Sequence, residues 1–400
     1  MLCTGLLLAL VAITCPMAVD AVNAPVGFGA GTTGGQGGTT VTPTTIAQLR
    51  TYLCGSTDSR GHCTDSTRRV ILINRTFDFR NSLGKKTETG CKVKACPNGQ
   101  SDLGLNWSGF CNGRTATSVT YDLAGVNDRL VIGSNKSIIG VKNTGVIKGT
   151  GLRIFGGVSN IIVQNVQITD INEGIVWGGD AISIDGASKI WIDHNYIARV
   201  GRQMIVTGFG SATDVTISHN VFDGSTRVGA YCDGRHYWLW LFLGKSDTIT
   251  LYGNIIQNTS GRGPHSGGMN SADVRLHMVN NHFRNVGGEG ALMSLSKTSY
   301  ILAEGNYFQN VAHPVYKYRT EPGPVFTPFD GNAAKTCSTY LKRSCVANSQ
   351  TQSSSKWNYS PADIIVLKKL STYSSSLINP AAANTVPGTT ARNAGVGKVN

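Results

Sequence analysis

The stretch NTSGRGPHSGG (Asn258–Gly268) sets one arginine, Arg262, between two glycines in a break between β-forming runs. A guanidinium stays protonated at ordinary pH and accepts protons poorly. A tight turn accounts for Gly261 and Gly263 but has no use for Arg262, so either a solvated loop cation or a reactive group stands there. Trp177 and Trp238 carry flat apolar faces of the kind that stack on sugar rings, with core packing as the alternative. Trp191 and Trp240 are left as packing residues or without an assigned role. Asp193 and His194, in WIDH (Trp191–His194), could exchange protons, yet they occupy a strand–turn position that recurs along the chain, which favours a structural role. Hydrolysis of a glycosidic bond needs paired carboxylates, and no such pair occurs in these segments.

These groups need a scaffold, and from Val119 onward the chain repeats itself. The segments VSNIIVQNVQI (Val158–Ile168), ASKIWIDHNYI (Ala187–Ile197) and ATDVTISHNVF (Ala212–Phe222) share one shape. So do KSDTITLYGNII (Lys245–Ile256), SADVRLHMVNNHF (Ser271–Phe283) and KTSYILAEGNYF (Lys297–Phe308). Each opens on a small polar residue, alternates β-formers, turns at an asparagine and closes on an apolar pair. The turn residues Asn195, Asn220, Asn254, Asn281 and Asn306 recur at intervals of 25, 34, 27 and 25 residues. Such a repeat of short strands and turns predicts an all-β solenoid of parallel coils. Alternation of period two and the β-branched composition argue against helices, and the turns of a sandwich would not recur as one motif. Stacked asparagines would hydrogen-bond turn backbone and the next amide in the stack, satisfying groups that a sharp bend exposes. The 34-residue interval holds an insertion, Gly224–Gly244, and insertions leave a solenoid on one face, where the chemistry is expected.

Of 400 residues, 40% are hydrophobic and 15% charged, which fits a well-buried globular chain and not a disordered one. The first residues, MLCTGLLLALVAITCPMAVDA, read as a signal peptide over 1–21, although no basic residue precedes the apolar run. A Gly/Thr-rich extended lead-in follows over 22–46, then one domain over 47–400. No other segment is long and apolar enough to cross a bilayer, so a secreted, extracellular protein without a membrane partner is expected, as a monomer. Eight cysteines remain after the leader, and an even set in an exported chain predicts disulfides. Zinc is the rival, but the cysteine spacings lack the C-x-x-C form and no metal is expected. The net charge of +13 becomes +14 once Asp20 leaves with the leader. The cations are scattered with no run longer than two, which points to an acidic polysaccharide and not to nucleic acid. Sequons at Asn74, Asn106, Asn135, Asn258 and Asn358 suit surface loops.

Taken in order, VWGGDAI (Val176–Ile182), WIDH, ARVGRQ (Ala198–Gln203), CDGRHYW (Cys232–Trp238) and SGRGP (Ser260–Pro264) resemble the fungal-type pectin lyases of the pectate/pectin lyase family. TFDF (Thr76–Phe79), SNKSIIG (Ser134–Gly140) and YILAEGN (Tyr300–Asn306) extend the likeness from about Ala47 to the end. The resemblance implies a right-handed, single-stranded parallel β-helix whose loop insertions form a cleft. It also implies β-elimination of the α-1,4 bond in methyl-esterified polygalacturonate, with pectin as the partner and no cofactor. A base takes the C5 proton beside the C6 carbonyl and O4 departs. An esterified ring gives an intermediate of one negative charge, which fixed cations can hold, whereas a carboxylate ring gives a dianion for which relatives use calcium. Arg262 matches the family's proposed proton acceptor. Arg202 stands where the calcium-dependent relatives place an acidic ligand, and would repel that ion and stabilise the oxyanion instead. Asp180 matches the one acid that remains, holding an arginine or a water. Gly261 and Gly263 are expected to admit the sugar to the backbone while a second cation lowers the proton affinity of Arg262. By matching positions the disulfides are Cys91–Cys111, Cys96–Cys232 and Cys337–Cys345, with Cys54–Cys63 closing a local insertion.

Two alternatives stay open at this level: Asp180 as an ordinary turn aspartate, and Arg202 as an ion-pair partner of Asp193. The chain also departs from the family. His265 stands where relatives carry lysine three residues after the catalytic arginine, and is assigned to substrate binding with Trp177 and Trp238. A tryptophan expected after Cys91 is replaced by the basic loop Cys91–Cys96 (CKVKAC). With the positive charge, that loop suggests tolerance of partly de-esterified pectin. Competing readings are a calcium-dependent pectate lyase and a catalytically dead wall-polymer-binding β-helix.

Overall fold

The computed structural model describes residues 23–269, 271–316, 323–353 and 362–399; the expected signal peptide and Asn358 lie outside them. Three parallel sheets of ten, nine and seven strands run the length of the chain, each successive coil adding a strand to each sheet. The register is strict. In the ten-stranded sheet Ile161, Ile190, Val215, Ile249, Leu276 and Ile301 stand directly above one another. All six are fully buried in one continuous core. Alternation of period two puts every second side chain inside the coil, and the repeat length puts like on like, so the expected β-helix forms.

The asparagine ladder closes one corner. The amides of Asn195, Asn220, Asn254 and Asn281 each donate to the side-chain oxygen of the next asparagine, over 2.9–3.0 Å. Each also donates to a strand carbonyl of the preceding coil: Val163, Ile192, Ile217 and Leu251. The ladder runs one step beyond the repeats legible in the sequence, from Asn306 to Asn348. Asn254→Ala removes two donors and an acceptor from a site with no solvent access. The variant is expected to lose roughly 3 kcal/mol of stability, read as a lower denaturation midpoint at unchanged slope.

Helices occur where the repeat does not. Ile46–Leu53 begins one residue before the expected domain boundary, capped by Thr45, and packs Leu49 and Leu53 into the end of the core. A solenoid leaves its terminal coil open, and an amphipathic segment covers it. Gly331–Leu341, Ile364–Leu370 and Val386–Asn393 are helical outside the repeated coils. The lead-in is not merely extended. It contains a tight turn at Gly27–Gly29 and a strand at Thr39–Val41, and Phe28 and Gly29 donate backbone N–H groups to Thr250 and Thr216 on successive coils. Some of its glycines serve close approach: a Cβ on Gly35 would sit 1.9 Å from the Arg69 carbonyl oxygen.

Four disulfides join Cys54–Cys63, Cys91–Cys111, Cys96–Cys232 and Cys337–Cys345. Cys96–Cys232 matters most for position, because it ties two insertions together across 136 residues. One insertion contains a hairpin of Lys85–Lys92 and Ala116–Asp122; the other is Gly224–Gly244. No helix among the described residues is long and apolar enough to span a membrane.

Candidate active site

The site lies where the chain enters the seven-stranded sheet. Strands Ile182–Asp185, Ile205–Thr207, Trp240–Phe242 and His265–Ser266 are neighbours in that order. Ile182, Ile205 and Trp240 share one register. Asp180, Arg202, Trp238 and Arg262 all precede these strands by two or three residues, so they emerge on the same edge of successive coils. Adjacent rungs are ~4.8 Å apart, which sets Arg202 and Arg262 roughly 10 Å apart along the axis, with Trp238 on the rung between.

Arg202 and Asp180 form a buried, bidentate pair: Nε to Oδ1 at 2.8 Å and Nη2 to Oδ2 at 3.1 Å. The Gln203 backbone N–H adds a third bond to Oδ1 at 2.9 Å. Asp180 is thus no ordinary turn aspartate. The alternative pairing of Arg202 with Asp193 is not what forms. Asp193 sits at the far end of a ten-stranded-sheet strand, where it binds Gln164, Ser218, His194 and His219. Those contacts hold Asp193 at about 2, against its burial. The imidazoles of His194 and His219 stack at 4.9 Å. Asp193, His194 and His219 have the spacing of a metal-ligand set. Both Asp193 oxygens are nevertheless engaged by neighbouring side chains, so the group reads as a structural rung.

Arg262 adopts a left-handed backbone (φ 54°), which costs a non-glycine residue roughly 1–2 kcal/mol. Its guanidinium carbon lies 4.5 Å from the Trp238 ring centre and 5.4 Å from that of Tyr237. Its Nε is buried without a hydrogen-bond partner. Burial holds its pKa below the ordinary arginine value; the Tyr237 hydroxyl opposes this, and Arg202 adds to it. Burial, not the second cation, is therefore the larger cause. The glycines flanking Arg262 have a packing reason that the sequence did not suggest. A Cβ on Gly261 would lie 2.4 Å from the Tyr237 ring, and one on Gly263 would meet Phe283 at 3.1 Å.

The sequence reading missed most of the wall. Trp107 and Phe110 come from the disulfide-bonded insertion and restore the aromatic character that the basic loop seemed to remove. The Trp107 ring stacks on Trp177 at 6.3 Å, and Phe110 stands edge-on to both Trp177 and Trp238. Trp107 remains 64% exposed, as a platform for a ligand would be. Arg202 lies 4.1 Å over the Trp177 ring. Tyr237 and Tyr231 donate their hydroxyls to Glu289, at 2.6 and 2.7 Å. His236, kept neutral because burial pushes it down to about 4, faces the Arg202 carbonyl at 2.8 Å and so couples the insertion to that coil. Behind Trp238, burial pushes the Asp102 carboxyl up to about 7. Only the shared insertion cysteines hinted that these distant residues would meet.

His265 lies in the strand after Arg262, half-buried, with its imidazole against Gly268. Trp191 and Trp240 are packing residues: Trp240 is fully buried, and Trp191 donates its indole N–H to Ser218 at 2.9 Å.

A parallel β-helix with a cationic, aromatic-walled cleft on one edge defines a solenoid built to hold carbohydrate. Residues 112–399 match the pectate lyase family, and the chain belongs to that family of polysaccharide lyases. It is 41% identical to a probable pectin lyase F of Neosartorya fischeri, over 94% of this chain and 95% of the relative. It is 42% identical to pectin lyase B of Emericella nidulans, over 80% and 81% of the two chains. Among solved structures, a pectate lyase from Acidovorax avenae superimposes with a TM-score of 0.57 at 17% identity, covering 96% of each chain. A Bacillus pectate lyase solved with trigalacturonate gives 0.56 at 21%, covering 94% of this chain and all of that one. At these identities the structural likeness speaks for the fold alone.

Proposed function

We propose that the chain is a secreted endo-pectin lyase that cleaves α-1,4-linked, methyl-esterified galacturonan by β-elimination without calcium. One observation carries this reading. The cleft carboxylate best placed to hold a cation, Asp180, has its oxygens committed to Arg202 and the Gln203 N–H, while a second guanidinium on the same edge, Arg262, makes no ion pair among the described residues. In this reading Arg262 acts as the neutral guanidine, a form that burial favours, and takes the C5 proton to become a guanidinium. The electron pair moves toward the C6 ester carbonyl, whose oxygen gains negative charge beside Arg202. The C4–C5 double bond then forms as the C4–O4 bond breaks, and the departing O4 takes a proton from solvent. Trp177, Trp238 and His265 hold the sugar chain.

Two carboxylates working as a hydrolytic pair find no support at this cleft. Asp180 is neutralised by Arg202, Glu289 is occupied by two tyrosine hydroxyls, and Asp102 lies buried behind Trp238. Incubation with highly methyl-esterified pectin and with polygalacturonate, followed by mass analysis, tests the reading. Pectin is expected to yield oligomers with an unsaturated end, at a rate at least tenfold above that on polygalacturonate. Saturated, hydrated ends would mean hydrolysis, and a preference for polygalacturonate would return the chain to the calcium-dependent class.

A further inference from the structure

The cleft continues past Arg202, away from Arg262, into a cavity of about 260 Å³. Its walls include Trp107, Trp177, Asp180, Arg202 and a cation that the sequence reading passed over, Arg129. Arg129 follows the short helix Leu123–Asn127 and immediately precedes strand Leu130–Val131. Leu130 shares a register with Leu152, Ile182, Ile205 and Trp240. Arg129 therefore belongs to a coil three rungs from that of Arg202, roughly 14 Å along the axis, and its long side chain reaches back into the cavity.

The electrostatics of this cavity do not balance. Asp180 is its lining carboxylate, and both of its oxygens already face the Arg202 guanidinium. Arg129 is half-buried, and among the described residues its one side-chain hydrogen bond is a long one to Ser183 Oγ, 3.5 Å. Among the described residues Arg129 forms no ion pair, and the cavity's carboxylate, Asp180, is paired with Arg202. Burial lowers its pKa, Asp180 opposes this, and repulsion from Arg153 and Arg202 adds to the lowering. A partly desolvated guanidinium beside sugar-stacking rings, with no anion of its own, is a site for an anion carried by a sugar.

We infer that Arg129 and the Trp107–Trp177 wall form a subsite for one non-esterified galacturonosyl residue, recognised through its C6 carboxylate. The inference rests on the pectin lyase reading above and extends it. The ring that loses its C5 proton must be esterified, because its enolate is held by single cations. A ring bound in this cavity, on the side of Arg202 away from Arg262, undergoes no chemistry and is free to carry its charge. The tolerance of de-esterified pectin thereby moves from the CKVKAC loop, where Lys94 is spent on the Tyr231 ring at 5.0 Å, to the cleft itself.

The test uses the full-length enzyme, Arg129→Gln and Arg129→Lys, each on fully and on partly methyl-esterified pectin. The ratio of kcat/KM on the partly esterified to the fully esterified substrate is expected to fall on the order of tenfold in Arg129→Gln, the cost of a lost charge-assisted bond. Arg129→Lys should recover much of that ratio. Wild-type products from partly esterified pectin should carry free carboxylates enriched at one fixed ring position from the unsaturated end, and Arg129→Gln should lose the enrichment. Unsaturated products with an unchanged ratio and randomly placed carboxylates would overturn the subsite while leaving the lyase reading intact. No unsaturated product from wild type on either substrate would remove both. The thermal denaturation midpoint of each variant, expected to match that of wild type, reports that it has folded.

Discussion

Arg262→Ala is expected to lower kcat/KM on methyl-esterified pectin by a thousandfold or more, on the order of the contribution of a positioned base. The loss should fall on kcat, with KM moving little, because Trp177, Trp238 and the Trp107 platform still hold the chain. Stability should barely change. Arg262 makes no ion pair among the described residues, its Nε is unsatisfied, and its guanidinium is partly desolvated, so its removal relieves one cost. Alanine at φ 54° keeps the backbone strain, which leaves the two effects near cancellation. An inactive but fully folded variant is the expected result. A variant that is inactive because it is unfolded would show that the arginine is structural.

Arg202 should behave differently, since the proposed reaction gives it a task beyond its pairing with Asp180. Arg202→Gln removes the cation that faces the developing oxyanion, a loss on the order of a hundredfold to a thousandfold in kcat. It also strands Asp180, 7% exposed, without its ion-pair partner, which should cost several kcal/mol of stability, roughly 3–5 for a buried pair. The double variant Arg202→Gln/Asp180→Asn separates the two. An amide at position 180 needs no cation, so thermal stability should return toward that of wild type while kcat stays low. If the double variant regained activity together with stability, Arg202 would be a partner for Asp180 and nothing more.

The parts of this account that were legible in the sequence are the periodic ones. Asn195, Asn220, Asn254, Asn281 and Asn306 announce themselves because each coil solves the same bend with the same amide, and the apolar stacks follow from the same repetition. Asn348 escaped notice because 42 residues, including the helix Gly331–Leu341, separate it from Asn306. The helices at the margins escaped because a solenoid's ends need lids, and lids follow no repeat. The site divides in the same way. Asp180, Arg202 and Arg262 sit in motifs at one edge of successive coils, and their neighbourhood was foreseeable. Asp193, only nine residues before Arg202, was a plausible partner by proximity in the chain, but a turn of the coil carries it to another sheet. Trp107, Phe110, Arg129 and Glu289 come from insertions and inter-strand loops whose meeting is set by a disulfide and by packing, neither of which has a period. The glycines beside Arg262 show the opposite case. A functional reason was assigned to residues that also have a packing one, because Tyr237 and Phe283 press against them.

The proposed reaction is an elimination carried out by two arginines unaided by a divalent ion. It is tested most directly by the initial rise in ultraviolet absorbance from unsaturated uronide, released from highly methyl-esterified pectin with chelator in excess. Wild type is expected to proceed at the same rate with chelator as without, and Arg262→Ala to give no rise under either condition. A wild-type rate abolished by chelator and restored by added calcium would contradict the account.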